Sequence, residues 1–247
     1  MSGHSKWSTI KRKKSAADAK RGKVFTTLIK EITISARLGG SDESANPRLR
    51  QAIAKAKSVN MPADNIKRGI MKGTGELPGV QYEEALYEGY GPAGVAIILE
   101  VLTDNKKRTV AELRHLFAKY NGTLGENGSV AWIFDKKGQI IINKNGYNEN
   151  SLFEIALDCG AEDFESEDTE IIITTNPQDL VQIRQKLQQK NIIIKSSEIE
   201  MVAKSLQKVE GKDAEKVLKL MVALEDHEDI KNVYANFDID DAAIDLE

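Results

Sequence analysis

The chain has 247 residues, 40% hydrophobic and 30% charged, a balance that suits folded domains with real cores. No apolar run reaches the length of a membrane span, since the best, Val95 to Leu102, is broken by Glu100, and the N-terminus lacks the apolar centre of a signal peptide. The single cysteine, Cys159, excludes an internal disulfide or a cysteine metal cluster, and a reducing cytoplasm is the expected location.

The formal charge of −3 conceals a separation. The first 75 residues hold 17 Lys and Arg against 5 Asp and Glu, a net of +12, and the other 172 hold 18 against 33, a net of −15. A cationic head on an anionic body points to a polyanionic partner, with nucleic acid the first candidate.

From Lys6 to Lys23 the cations Lys6, Lys11, Arg12, Lys13, Lys14, Lys20, Arg21 and Lys23 face one acid, Asp18. A stretch this dense in charge stays in water, either as a solvated tail or as an arm that neutralises phosphates. Trp7 has two roles open to it: its ring stacks on a base among the cations, or it anchors the arm to the core.

Three helices follow. Val24, Phe25, Leu28, Ile29, Ile32 and Ala36 recur at helical spacing, with Lys23, Thr26, Thr27, Lys30 and Arg37 on the other side, until Gly39-Gly40 stops the helix. Asn46-Pro47 starts a second helix around Leu49, Ile53 and Ala56, and Pro62 opens a third around Ile66 and Ile70 that ends at Gly73. Their outer face carries Arg48, Arg50, Lys55, Lys57, Lys67, Arg68 and Lys72. The segment Gly73 to Gly79 reads as a linker that lets this head move relative to the body.

Beyond it strands alternate with helices: a strand over 95–101, a helix over 109–120 and a strand over 129–134. Residues 136–205 then hold a complete β-α-β-β-α-β series, the order of a ferredoxin-like sandwich. A helix over 214–224 and a strand over 232–237 supply the pair that the earlier half lacks. The predicted architecture is therefore α+β and multidomain. A basic three-helix domain (1–76) precedes a discontinuous α/β domain (80–135 with 206–240), into which a second ferredoxin-like domain (136–205) is inserted.

Catalytic signals are few, and no cofactor, metal or small-molecule substrate is expected. His4, His115 and His227 are remote from one another and show no metal-ligand spacing, and Cys159 ends an apolar helix as an inert core thiol. Gly89-Tyr-Gly-Pro-Ala-Gly94 matches a dinucleotide fingerprint only formally, because a strand follows it where a helix is required; a shaped turn accounts for it. Lys106, Lys107 and Arg108 gather at a helix entrance, where cations and N-terminal amides together suit an anion. Asp104 and Asn105 shaping the turn, with Thr109 as cap, is the competing account of that segment.

Several stretches together resemble one family. They are Gly3-His-Ser-Lys-Trp7, Asp18-Ala-Lys-Arg-Gly-Lys23, Asn46-Pro-Arg-Leu49, Asn60-Met-Pro62, Tyr87-Glu-Gly-Tyr90, Thr103-Asp-Asn105 with Arg108-Thr109, and Gly128-Ser-Val130 followed by Trp132. The chain is identified by them as similar to the YebC/PmpR family, related to a mitochondrial translational activator of cytochrome oxidase subunit one. The resemblance implies a helical N-terminal domain followed by two α/β domains. It also implies a regulator of gene expression and not an enzyme: either a DNA-binding transcriptional regulator, or a factor that binds ribosomal RNA and relieves stalling at proline-rich stretches. Thr27 departs from the lysine that members often carry. The nucleic-acid contacts expected are Lys6, Trp7, Lys11 to Lys14, Lys20, Arg21, Lys23, Arg48, Lys106, Lys107 and Arg108. No helix-turn-helix, zinc finger or RNA-binding aromatic signature is evident, which favours recognition by shape.

Overall fold

The computed structural model describes Trp7 and residues 20–240, with only the backbone described at Lys20 and Arg21. Trp132–Leu206 form one compact unit, and the remaining described residues, on both sides of it in sequence, form the other. No helix among the described residues is long and apolar enough to cross a membrane.

The larger unit begins with α1 (Lys20–Gly39), α2 (Pro47–Ser58) and α3 (Ala63–Thr74). Leu28, Ile32 and Ala36 of α1 pack on Leu49, Ala52, Ile53 and Ala56 of α2 and on Ile66 of α3, the stripes that the helical spacing predicts. The buried Asn46 holds the α1–α2 corner. Its Oδ1 accepts from Leu49 N at 3.0 Å, and its Nδ2 donates to the carbonyls of Ser35 and Gly40 at 2.8 and 2.9 Å. Gly73 does not end α3. It lies inside the helix, where a Cβ would fall 2.4 Å from Thr33 O, so glycine permits this approach of α1 to α3; the left-handed cap is Gly75, at φ 84°.

Next come β1 (Glu83–Tyr90), β2 (Ala96–Thr103), α4 (Lys106–Lys119) and β3 (Thr123–Leu124), and later α7 (Gly211–Asp226) and β9 (Ile230–Ala235). They make an antiparallel sheet of order β3-β1-β2-β9. Val95, Ile97, Leu99 and Val101 meet Leu113 and Phe117 of α4 and Val217, Leu220, Met221 and Leu224 of α7. On the other face of β2, Ile98 and Leu102 are buried too, and α1 lies against this strand. A short parallel pair, β8 (Gln207–Lys208) with β10 (Phe237–Asp238), completes the unit.

The second unit contains β4 (Phe134–Asn143), α5 (Glu149–Cys159), β5 (Asp163–Ser166), β6 (Glu170–Thr175), α6 (Leu180–Gln189) and β7 (Ile194–Ala203). Its antiparallel order is β5-β6-β4-β7, the ferredoxin-like arrangement, with Ile140, Ile142, Ile171 and Ile173 packed on α5 and α6 and Cys159 buried among them. The two sheets correspond position for position. In the larger unit, however, the strand beside the centre is β1, which comes from before β2 in the chain and not from after β3.

Three further expectations need correction. The strand β1 is absent from the periodicity because Glu83, Glu84 and Glu88 interrupt it, and the turn at Pro92–Gly94 is the hairpin joining β1 to β2. Residues 129–133 are not a strand; a single helical turn, Ala131–Ile133, leads into β4. Nor is the head loosely tethered. Lys30, expected on the solvent side of α1, is 6% exposed and pinned to the sheet, as described below.

Candidate nucleic-acid interface

Of the cations expected to meet a polyanion, Lys6 and Lys11 to Lys14 lie outside the described residues, as do the side chains of Lys20 and Arg21. Trp7 is described and is 5% exposed. Its indole joins the core of the α/β sheet, lies edge-on to Phe237 with ring centroids 6.5 Å apart, and donates from Nε1 to Glu225 Oε1 at 3.1 Å. A ring sequestered in this way has no free face for a base, so of its two roles the structure carries the anchor. Lys23 donates to the carbonyl of the same Glu225.

The helix entrance at Lys106 to Arg108 is filled by protein, not left for an anion. Asn105 caps α4, accepting from Arg108 N at 3.1 Å, and Lys106 pairs with Glu83 across the surface. Arg108 NH2 donates to Asp104 Oδ1 and to Asp229 Oδ2, both at 2.8 Å. Lys107 is exposed and has no ion pair among the described residues.

Asp229, at the start of β9, is the centre of this junction. Its Oδ1 accepts from Lys30 Nζ at 2.8 Å, and the hydroxyls of Thr103 and Thr109 stand 3.1 and 2.8 Å from Oδ2. Lys30 spends its other two protons on the carbonyls of Leu102 and Glu228, at 3.1 and 3.0 Å. Burial alone would raise the Asp229 pKa. The hydrogen bonds from Lys30, Arg108 and Thr109 outweigh it and hold the carboxyl well below the usual carboxylate range. Glu112, His227 and Asp229 do offer ligand atoms within 4.8 Å of one another. The Asp229 oxygens are already taken by two cations and two hydroxyls, and His227 Nε2 stands 3.0 Å from Glu112 Oε2, so the cluster reads as a closed polar network.

Arg48 is likewise engaged. Its Nε donates to Glu31 Oε1 at 2.7 Å and its NH1 to Glu84 Oε2 at 3.0 Å, while Lys231 reaches Glu31 Oε2 at 2.9 Å. Burial acts to raise the Glu31 pKa, but Arg48 and Lys231 bring it below its ordinary value. Glu88 does comparable work without a cation. Its buried carboxylate accepts from the backbone N–H of Gly128, Val130 and Ala131 at 2.6 to 2.7 Å, tying the Tyr87–Tyr90 motif to the Gly128–Val130 motif. Lys30, Glu31, Glu88 and Asp229 were not found from the sequence. Glu88 alone stood within a motif that could have flagged it.

What remains available is the outer face of α2 and α3. The two helices carry Arg48, Arg50, Lys55, Lys57, Lys67, Arg68 and Lys72 against one carboxylate, Asp64. Lys57, Lys67, Arg68 and Lys72 are all exposed, and among the described residues none forms an ion pair. Four unneutralised cations on adjacent helices are suited to a row of phosphates.

Residues 5–76 match the family described as TACO1/YebC protein N-terminal domain, and residues 82–237 match TACO1/YebC second and third domain. A probable transcriptional regulatory protein of Geobacter sulfurreducens is 55% identical over 239 residues, spanning 97% of this chain and 96% of its own length. Another, from Trichlorobacter lovleyi, is 56% identical over 239 residues with the same coverage. The crystal structure of a conserved hypothetical protein from Aquifex aeolicus is similar at a TM-score of 0.86 and 43% identity, over 95% of this chain and 97% of that one.

Proposed function

Because the chain belongs to the TACO1/YebC family, we propose that it is a non-enzymatic regulator of transcription that holds DNA through the cations of its helical head. The observation that supports this most is the face of α2 and α3, where Lys57, Lys67, Arg68 and Lys72 lie exposed without a carboxylate partner among the described residues. The names carried by the relatives agree with a regulator. In this reading Lys6, Lys11, Arg12, Lys13, Lys14, Lys20 and Arg21 add phosphate contacts from the arm, and Trp7 fixes the arm's start without touching a base. Arg48, Lys106 and Arg108 hold the protein together instead. Backbone contacts position a duplex but carry no sequence, so selectivity rests on shape and deformability.

The test is competition at physiological salt with the full chain. A promoter regulator prefers one duplex over unrelated competitor by about 10³-fold or more. Replacing Lys11 to Lys14 with Ala should make log K less steep against log salt by up to about 0.9 per lost contact. Loss of all duplex binding at that salt, with co-sedimentation on ribosomes instead, would overturn the DNA reading and move the same cationic face to ribosomal RNA.

A further inference from the structure

The cationic face is not smooth. A cleft of about 420 Å³ opens on it between α1, α3 and the turn after α3, lined by Ile29, Asn65, Arg68, Gly69, Lys72, Leu77 and Pro78. Asn65, Arg68, Gly69 and Lys72 are spaced to share one face of α3. Ile29, Leu77 and Pro78 supply its apolar lining. The turn is tied back by Leu77 N, which donates to Met71 O at 3.1 Å.

Gly69 is the floor. A Cβ there would come 3.1 Å from Ile32 Cγ2, so the packing of α1 against α3 disfavours any side chain at the position. The Asn65 carboxamide makes no hydrogen bond with any described residue, so it offers both a donor and an acceptor. Arg68 and Lys72 stand one helical turn apart at the rim, without an acid partner among the described residues.

An apolar lining, an unengaged amide and two exposed cations in one cleft form a combination that a continuous duplex does not need. We infer that this cleft receives one unstacked nucleotide from a single-stranded or bulged nucleic acid. Ile29 and Leu77–Pro78 enclose the base, Asn65 bonds to its edge, and Arg68 and Lys72 take the flanking phosphates. The cleft volume lies within the ~300–1,000 Å³ of small-ligand sites. The inference rests on the nucleic-acid reading above and sharpens it, since the protein then selects duplexes that already carry an unpaired base.

The experiment compares two probes with the full-length protein: a short blunt DNA duplex, and the same duplex carrying one unpaired fluorescent base analogue. Binding to the second should be roughly tenfold tighter, with a change in the analogue's emission as its environment turns apolar. Asn65→Ala and Leu77→Ser should each abolish that preference and the emission change while leaving affinity for the blunt duplex intact. Lys57→Ala, away from the cleft, should weaken both probes alike. Equal affinity of the native protein for the two probes overturns the cleft assignment and leaves the phosphate-binding reading standing. Failure to bind either probe overturns both.

Discussion

At the junction of α1 with the sheet each cation meets an acid, whereas on the outer face of α2 and α3 four cations meet none among the described residues. Lys30 and Arg108 share Asp229, and Arg48 and Lys231 share Glu31. Lys57, Lys67, Arg68 and Lys72 face water. The residue types are the same and their work is opposite. A carboxylate brought close by the fold turns a cation into a fastener, and its absence leaves the cation for an external anion. Counting charges along the head therefore points to a polyanionic partner without saying which cations would meet it.

The comparison breaks first at Asp229. Asp229→Ala strands two cations, one of them buried, so the loss should reach the upper part of the ~3–5 kcal/mol typical of a broken buried pair, measured by urea unfolding. Nucleic-acid affinity per folded molecule should not change. The same carboxylate sets an acid limb. Its folded pKa lies below the unfolded value of about 3.9, so its stabilisation is complete above roughly pH 5 and is lost as pH falls toward the folded value. The variant should flatten that limb.

Trp7→Ala should cost about 3 kcal/mol, the low end for burying a tryptophan, seen as a lowered melting temperature. If melting is unchanged and binding is weakened, the anchor role fails. Arg48→Ala removes an exposed pair with Glu84 and one of the two cations on the largely buried Glu31, which keeps Lys231, so it should cost about 1 kcal/mol. Smallest for folding is the triple substitution Lys67→Ala, Arg68→Ala and Lys72→Ala, which should stay within about 0.5 kcal/mol in unfolding yet lower the slope of log K against log salt by up to about 2.7 on duplex DNA. A triple variant that destabilises the fold without altering the slope would erase the distinction between the two regions.

Much of this was legible in the sequence. The apolar spacing of α1, α2 and α3 gave the bundle, because each helix buries one stripe against its neighbours. The β-α-β-β-α-β run gave the inserted sheet. What escaped was long-range. Asp229 is 199 residues from Lys30 and 121 from Arg108, so nothing local marks Arg108 as a fastener and not an anion site. β1 escaped because its half-exposed, glutamate-rich face breaks the alternation. Gly73 misled because glycine serves both to end a helix and to admit a neighbouring one, and only the 2.4 Å approach to Thr33 O decides between them.

The separation between Lys30 and Asp229 also governs the order of events on the ribosome. At about 5–20 residues per second, the 199 residues between them take roughly 10–40 s to synthesise. Throughout that interval α1 exists without its counter-charge and the central sheet lacks β9. Trp132–Leu206, by contrast, emerges as one continuous stretch holding every strand of its own sheet, and it can close before the unit that encloses it in sequence is complete. The nascent chain thus presents a cationic head whose Lys30 lacks its counter-charge until β9 is made, and early termination before β9 releases a head that keeps Leu102 O and Glu84 as partners but not Asp229.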